Sequence, residues 1–372
     1  MHVDKKHEEE PGPVNLPIGK QVAGRWKIVE KLGEGGCGAV YLVLDKKTNS
    51  NGALKAESNF AEGGAVLKLE VKVLKRLQGK KYMAQLIASG KKERYSYMVM
   101  SLFGPSLSTL FKKCGREFSI STVLRVGIQI LYGLKTLHEI GYVHRDVKPA
   151  NLAIGLKGPD IRMVHMLDFG LAREFVIRTE NKIEIRRPRD AALFRGTYKY
   201  CSYNSHNRSE QGRPDDLWSM VYVLSEFRSP LPWSQQSDKK EIARMKGEIP
   251  DEKLFQRGLS ELLTITTHIR TLDYYKRPDY KLIFDVFCQT MNKYKIKYSD
   301  PFDWELHGIG TSPGKSKLRR RLSRILSITE DQSVDLKTME NVAAEPHTAE
   351  EPQNQDQMPF TAEYFAKNEL GF

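Results

Sequence analysis

The densest group of chemically capable side chains lies in the segment HRDVKPAN, residues 144–151. Asp146 could accept the proton of a hydroxyl group, and Lys148 could stabilise negative charge that develops on a reacting group. Asn151 offers an amide oxygen, and the later segment MLDFGLAR supplies Asp168, a carboxylate of the kind that binds Mg²⁺. A DFG triplet alone carries little weight. Its position 17 residues after Asn151 makes the combination specific and predicts metal-assisted phosphoryl transfer to a hydroxyl.

A glycine-rich segment near the start of the chain could hold phosphate groups. LGEGGCGAV places Gly33, Gly35 and Gly38 in a G-x-G-x-x-G pattern, which lets backbone N–H groups approach phosphate oxygens closely. By itself the pattern also fits an ordinary hairpin turn or a dinucleotide-binding βαβ unit. The βαβ alternative fails because the glycines lead into the strand pattern AVYLVLD and not into a helix. A glycine hairpin between strands is typical of an ATP-binding loop.

A lysine and a glutamate follow the glycine segment at a suggestive spacing. Lys55 lies in the predicted strand GALKAES, and Glu70 lies 15 residues later in the helical pattern VLKLEVKVLKRL. A lysine that points into a sheet needs a partner, because burying an unpaired cation is costly. A strand lysine is usually a solvated edge residue and a helix glutamate usually lies on the surface. The position after the glycine loop favours a Lys55–Glu70 pair that faces the nucleotide phosphates.

Hydrophobic patterning indicates a β-rich first part and a helical second part. Three strands, one helix and a further strand, YSYMVMSLF, precede Gly104-Pro105. Beyond them, long apolar-periodic stretches predict helices. These stretches are STVLRVGIQILYGLKTLHEIG, PDDLWSMVYVLSEF, a segment after Pro278, and PFDWEL at 301–306.

Composition limits the classes of protein that fit. The chain has 372 residues, 40% of them hydrophobic, and a formal net charge of +13, which suits an anionic partner without identifying it. Four scattered cysteines argue against a disulfide framework or zinc site and favour a reducing compartment. The N-terminus lacks the apolar stretch of a signal peptide, and no run approaches the length of a membrane span. We expect a cytoplasmic protein, with the nucleus as a second location.

The ordered motifs resemble the eukaryotic protein kinase superfamily over about residues 25–300. The form HRD-x-K-P-x-N resembles kinases that act on Ser or Thr. In place of the usual A-P-E motif stands GTYKYCSYNSHNRSEQGRPDDLWSMVYVLSEF, residues 196–227, which resembles the casein kinase 1 group. The blocks PRDAALFRGT, LPW, LDYYKRPDY and PFDWE look most like tau-tubulin kinases.

The resemblance implies an α+β, bilobal protein kinase fold with ATP and Mg²⁺ as cofactors. It implies a kinase domain at 25–306, and the polar composition on either side predicts a flexible segment at 1–24 and a disordered tail at 307–372. Within the domain, a small β-rich N-lobe spans about 25–103 and a larger helical C-lobe about 104–306.

The resemblance also assigns roles to individual residues. Asp146, Lys148 and Thr197 are the expected catalytic residues, and Asn151 and Asp168 are the expected metal ligands. Asp216 would brace the HRD backbone, whereas Arg277 would lack its usual partner because the A-P-E glutamate is absent. The expected nucleotide-binding residues are Leu32, Gly33, Glu34, Gly35, Gly36, Cys37, Gly38, Val40, Lys55, Glu70, Met100 and Leu102.

A basic stretch between DFG and Gly196-Thr197 bears on substrate choice. Arg186, Arg189 and Arg195 match basic positions of tau-tubulin kinases and could bind a phosphate or an acidic side chain of a protein substrate. A solvated loop, or arginines that brace the activation segment, explain the pattern equally well. The resemblance suggests cytoskeletal substrates, and we expect a monomer.

Several alternatives stay open at this stage. The basic run at 315–324 fits a linker, a nuclear-import signal, a membrane-surface patch or a pseudosubstrate segment containing Ser323 and Ser327. A pseudokinase that serves as a binding scaffold is the main rival function, favoured by the unusual Cys37 and Ala39 in the glycine loop. A nucleic-acid-binding protein is a second rival, but no binding motif supports it, and we expect no nucleic-acid partner.

Overall fold

The computed structural model describes residues 14–35, 38–60, 66–180, 182–308 and 358–372. The chain divides into two compact units. Among the described residues, the first unit holds 14–78 and 84–102 apart from the gaps, and the second holds 79–83, 103–308 and 358–372. Each unit is described below by itself.

The first unit is built on a six-stranded antiparallel sheet with the strand order β1-β2-β3-β4-β6-β5. One helix, α1 (Val66–Leu77), packs against β5 and β6. The strands are β1 (Gln21–Val22), β2 (Trp26–Gly35), β3 (Gly38–Asp45), β4 (Ser50–Ser58), β5 (Leu86–Lys91) and β6 (Tyr95–Met100).

Alternation of apolar side chains along the strands produces the core of this unit. Trp26, Ile28, Tyr41 and Val43 are buried in one cluster with side chains from β4 and β6. A strand turns successive side chains to opposite faces, so each strand contributes every second residue to this cluster. The same register places Val40 opposite Lys55 in the β3–β4 pair.

The second unit is mainly helical and is centred on α3 (Ile120–Glu139), in which nearly every residue from Thr122 onward is buried. Ser119 caps this helix by accepting a hydrogen bond from the Thr122 N–H. The other helices are α2 (Leu107–Lys113), α4 (Tyr203–His206), α5 (Arg213–Glu226), α6 (Lys239–Glu248), α7 (Leu263–Arg270), α8 (Tyr280–Lys293), α9 (Asp303–Leu306) and α10 (Ala362–Ala366).

Three short antiparallel pairs in the second unit fix the polar segments named above. The segment 144–151 lies between β7 and β8, and Asp168 is the second residue after the end of β9. The pairs are β7 (Tyr142–Val143) with β10 (Arg173–Glu174), β8 (Leu152–Ile154) with β9 (Val164–Met166), and β11 (Val176–Arg178) with β12 (Ile183–Ile185).

The architecture confirms the predicted α+β class, with a β-rich first unit and a helical second unit. The sequence patterns missed β1 and β5, the short strands β7 to β12, and the helices α2, α4, α6 and α7. The predicted disordered tail differs at its far end, because residues 358–372 pack on the second unit and form α10, as detailed below. The rest of that tail, with the basic run 315–324, lies outside the described residues. Among the described residues, no helix is long and apolar enough to cross a membrane.

Candidate active site

Asp146 stands at the centre of a compact polar cluster in the second unit. The Thr197 hydroxyl donates to Asp146 Oδ1 at 2.7 Å, and the Lys148 ammonium donates to Oδ2 at 2.6 Å. Lys148 also reaches the Thr197 hydroxyl at 3.2 Å. The Asp146 carboxylate is therefore held in one orientation beside a cation. A carboxylate in this position can accept a proton, and the cation can stabilise a negatively charged phosphoryl group nearby.

A second carboxylate, Asp216 at the start of α5, fixes the backbone that carries Asp146. It accepts the N–H groups of His144 at 2.7 Å and Arg145 at 2.8 Å, and His138 Nε2 lies 2.9 Å away. Arg145 has φ +68°, a strained conformation that these bonds help to maintain. The bracing role that the resemblance implied for Asp216 agrees with these contacts.

Burial and hydrogen bonding together set the protonation states of His138 and Asp216. Burial lowers the pKa of His138, so its neutral imidazole donates one N–H to Asp216 and accepts from the Tyr280 hydroxyl at 2.7 Å. Burial alone would raise the pKa of Asp216, but the hydrogen bonds from His138 and the His144 backbone bring it below its ordinary value. Asp216 is therefore anionic at neutral pH, and its two carboxylate oxygens accept the N–H groups of His144 and Arg145.

Asn151 and Asp168 fit the oxygen chemistry of a magnesium site. The Asn151 amide nitrogen donates to the Asp146 carbonyl at 3.0 Å and to its carboxylate at 3.3 Å, which turns both donors away and leaves the amide oxygen for a cation. Asp168 has φ +63°, an uncommon conformation for a residue other than glycine. A carboxylate and an amide oxygen are ligands that Mg²⁺ prefers, so these two residues would hold it.

In the first unit, Lys55 and Glu70 form a buried ion pair. Lys55 Nζ lies 2.6 Å from Glu70 Oε2, and the two side chains are 9% and 1% exposed. Burying two charges is favourable only when their geometry and hydrogen bonds are good. The pair fits a nucleotide-binding role because Glu70 holds the ammonium group at a fixed position on the sheet.

On either side of Gly36 and Cys37, β2 and β3 pair in the antiparallel arrangement that the sequence predicted, with Gly35 opposite Gly38. A Cβ at Gly38 would lie 2.1 Å from the Ala56 carbonyl oxygen, and its φ of +116° also favours glycine. A Cβ at Gly33 or Gly35 would meet no described atom within 4 Å. Packing among the described residues of this unit therefore demands Gly38 alone among the three glycines.

The remaining described nucleotide-side candidates lie on the same sheet or directly beyond it. Leu32 and Glu34 are on exposed β2 positions, Val40 is half-buried beside Lys55, and Met100 ends β6 two residues before Leu102. Gly36 and Cys37 lie outside the described residues, so their candidate roles stay predictions.

The three candidate substrate-binding arginines are placed differently from one another. Arg189 forms a two-bond ion pair with Glu210, at 2.5 and 2.9 Å, and Arg173 approaches the same carboxylate at 3.1 Å. Arg186 donates to the Glu174 carbonyl, and Arg195 is exposed. Burial raises the pKa of Glu210, but its arginine partners hold it below the ordinary value. Arg189 therefore braces the activation segment.

Lys246 is a buried cation that sequence reasoning missed. From α6 its ammonium group donates to the Tyr198 carbonyl at 2.7 Å and the Cys201 carbonyl at 2.6 Å, which fastens the segment directly after Thr197. The rings of Tyr222 and Trp233 lie 5.0 and 5.1 Å away. A single lysine in a polar helix gave no signal of this role.

The free energy of unfolding should report the titration of Lys246. Burial lowers its pKa to about 8, whereas the unfolded chain has the ordinary value near 10.5. Between these values the unfolded state binds more protons, so raising the pH should stabilise the wild type relative to Lys246→Met. We expect a gain of about 1.4 kcal/mol per pH unit. Denaturant titrations of both proteins at several pH values measure it, and a pH-independent difference would contradict the assignment.

Arg277 finds a different partner in place of the missing A-P-E glutamate. Its guanidinium donates to Glu139 Oε1 at 3.0 Å and to the Lys367 carbonyl at 2.7 Å. Glu139 is at the end of α3, one residue after His138. Arg277 thus contacts α3, the helix whose His138 also contacts Asp216. The sequence motifs did not predict this pairing with Glu139.

Comparison with known proteins identifies the family. The protein kinase domain family matches residues 26–293. A Caenorhabditis elegans protein that carries the name of a serine/threonine-protein kinase is 48% identical over 79% of this chain and 86% of its own length. A Dictyostelium discoideum protein with a similar name is 37% identical over 79% of this chain and 59% of its own length. A C. elegans protein named inactive tau-tubulin kinase is 38% identical over 64% of this chain and 86% of its own length. The chain therefore belongs to the protein kinase family and, within it, to the serine/threonine-protein kinases.

Proposed function

We propose that this protein is a catalytically active kinase that transfers the γ-phosphoryl group of ATP to serine or threonine hydroxyls of proteins. The observation that carries the proposal is the cluster around Asp146, where Thr197 and Lys148 orient the carboxylate. Asp146 receives the hydroxyl proton, and Lys148 stabilises the charge of the transferring group. When bound, ATP and Mg²⁺ supply the phosphoryl group and neutralise charge on its phosphates.

A binding scaffold without catalysis is the second candidate. One relative at 38% identity is named as inactive, and this favours the alternative. The retention of Lys55, Asp146 and Asp168 in this chain favours catalysis. Phosphoryl transfer from radiolabelled ATP to casein and tubulin by the purified full chain separates the two, because a scaffold would bind nucleotide and transfer nothing.

We further propose a tau-tubulin kinase-like preference for acidic or phosphate-primed sites. Since Arg189 is paired with Glu210, the preference is assigned to Arg186 and Arg195, whose side chains donate hydrogen bonds to backbone carbonyls. Guanidinium groups bind carboxylates and phosphates through paired hydrogen bonds. The proposal is therefore narrower than the three-arginine cluster expected from the sequence.

A peptide array should test the preference directly. Serine peptides with flanking phosphoserine, Asp or neutral residues are compared on the wild type and on single alanine variants. We expect Arg186→Ala or Arg195→Ala to reduce the selectivity for acidic peptides about tenfold, since a charged hydrogen bond is lost. Arg189→Ala is the matched control and should mainly lower the melting temperature. Equal rates on acidic and neutral peptides by the wild type would refute the preference.

A further inference from the structure

Residues 358–372, called here the terminal segment, pack on parts of the second unit that are distant from them in sequence, including Tyr132 and Phe284. Their ordered core is the five-residue helix α10, which Thr361 caps by accepting the Tyr364 N–H. A helix this short is not stable by itself in water. Its conformation must therefore come from the surface on which it packs.

Aromatic side chains make the apolar part of this contact. Phe360 and Phe365 are 3% and 0% exposed. The Phe360 ring lies 4.9 Å from that of Tyr132, and the Phe365 ring stacks on Phe284 at 4.5 Å. Fully burying one such side chain contributes about 1.5–3 kcal/mol. The groove that receives them, between α3 and α8, would otherwise expose its own aromatic residues to water.

Polar side chains on α3 also form hydrogen bonds with the terminal segment. The Thr136 hydroxyl lies 2.5 Å from that of Tyr364, and Glu139 Oε2 accepts the N–H groups of Glu369 at 2.7 Å and Leu370 at 3.1 Å. The Lys135 ammonium group, 3.5 Å from Glu139, sits 4.4 Å from the centre of the Tyr364 ring. Lys135 has no exposed surface. A helix face with three polar side chains is thus closed by this segment.

The last residues of the terminal segment extend the contact toward the catalytic loop. Leu370 and Phe372 pack against the cluster of Val143, Phe175 and Val176, and Val143 directly precedes His144. The Phe372 carbonyl accepts a hydrogen bond from Arg213 at 3.3 Å. The segment therefore contacts α3, α5, α8 and β7, the elements that hold the Asp216 brace.

We propose that the terminal segment is an intramolecular ligand of a peptide-binding groove formed by α3, α8 and β7. Phe360, Tyr364 and Phe365 anchor the segment in the groove. The Glu139 carboxylate binds its backbone by accepting the N–H groups of Glu369 and Leu370. The occupant is this chain's own segment, because the observed fit uses side chains and backbone of one continuous stretch. Tethering keeps such a ligand at a high effective concentration, and its occupancy supports the helix end that carries His138 and Glu139.

The first test cuts the tether without removing the segment. A specific protease site is placed between residues 345 and 350 of the full chain, and the protein is cleaved after folding. We expect the released fragment to co-elute with the rest of the protein on size-exclusion chromatography at micromolar concentration. Complete separation of the fragment would overturn the proposal. This readout does not depend on kinase activity, so it stands apart from the proposed function.

Two adjacent substitutions make a matched pair for the second test. Phe365→Asp places a carboxylate at a fully buried position, and Ala366→Asp places the same group at the next, exposed position. Phe365→Asp should abolish co-elution and speed amide exchange at Glu369 and Leu370 at least tenfold, whereas Ala366→Asp should change neither. If Phe365→Asp fails to fold, Phe365→Ala replaces it, and exchange in the wild type is read directly. Fast exchange at both amides in the wild type would also overturn the proposal.

Light scattering on the intact chain identifies the source of the segment. A monomeric mass, unchanged by Phe365→Asp, is expected for an intramolecular ligand. A dimer that Phe365→Asp converts into monomers would show that a second copy supplies the segment, and would overturn the intramolecular assignment.

Discussion

Asp146→Asn should lower kcat about 10²–10⁴-fold, the range for removal of a general base. The asparagine keeps the shape of the side chain and its oxygen can still accept the Thr197 hydroxyl, but it cannot take up the substrate proton. The substitution leaves Lys148 and the nucleotide-binding residues in place, so the affinity for ATP should change little. Steady-state phosphoryl transfer at saturating ATP, with the KM for ATP measured alongside, provides the test.

Asp285→Asn is a suitable control for this substitution. Asp285 lies on α8, where it pairs with Lys281 at 2.6 Å on the surface. The same chemical change there should leave kcat within about twofold of the wild type, because surface ion pairs contribute little. If Asp146→Asn retained activity comparable to this control, Asp146 would not be the proton acceptor.

Lys55→Met should both inactivate the enzyme and destabilise the first unit. Glu70 is 1% exposed, and removal of its lysine partner leaves a buried carboxylate without that charge. Such a loss costs about 3–5 kcal/mol. The lost phosphate contact should lower kcat/KM about 10²–10³-fold. Chemical denaturation and phosphoryl-transfer assays measure the two effects separately.

The double variant Lys55→Met/Glu70→Leu separates stability from function. Replacing a whole buried ion pair with apolar residues is often nearly neutral for stability, so the double variant should recover most of the lost unfolding free energy. Its activity should stay as low as that of Lys55→Met. Recovery of activity together with stability would mean that Lys55 has a structural role only.

The sequence predicted the local part of the site because its residues are close together in the chain. Asp146, Lys148 and Asn151 share one loop, and their mutual contacts follow from that spacing. For α1 the periodicity was less informative. The structure buries Leu67 and Glu70 with Val73, Leu74 and Leu77, so the buried face includes a glutamate that a hydrophobic pattern cannot recognise. Only its spacing from Lys55 indicated the pair.

Contacts between distant parts of the chain could not be predicted in this way. For Arg189, substrate binding and bracing of the activation segment fitted the sequence equally well. Its partner Glu210 lies 21 residues away, and no pattern links the two residues. Lys246 depends on backbone carbonyls of a segment more than 40 residues earlier. The terminal segment carries four aromatic residues, Phe360, Tyr364, Phe365 and Phe372, but it follows an acidic stretch whose composition is typical of disorder. Its structure depends on a groove that only the folded second unit provides.

The packing of Phe365 against Phe284 has a consequence for how the protein is made. A ribosome adds about 5–20 residues per second, and roughly 80 residues separate the two rings in the chain. For about 4–16 s, therefore, the nascent second unit has its groove residues without the aromatic side chains that cover them. During that interval Tyr132 and Phe284 present an uncovered apolar surface, which is the kind of surface that molecular chaperones bind.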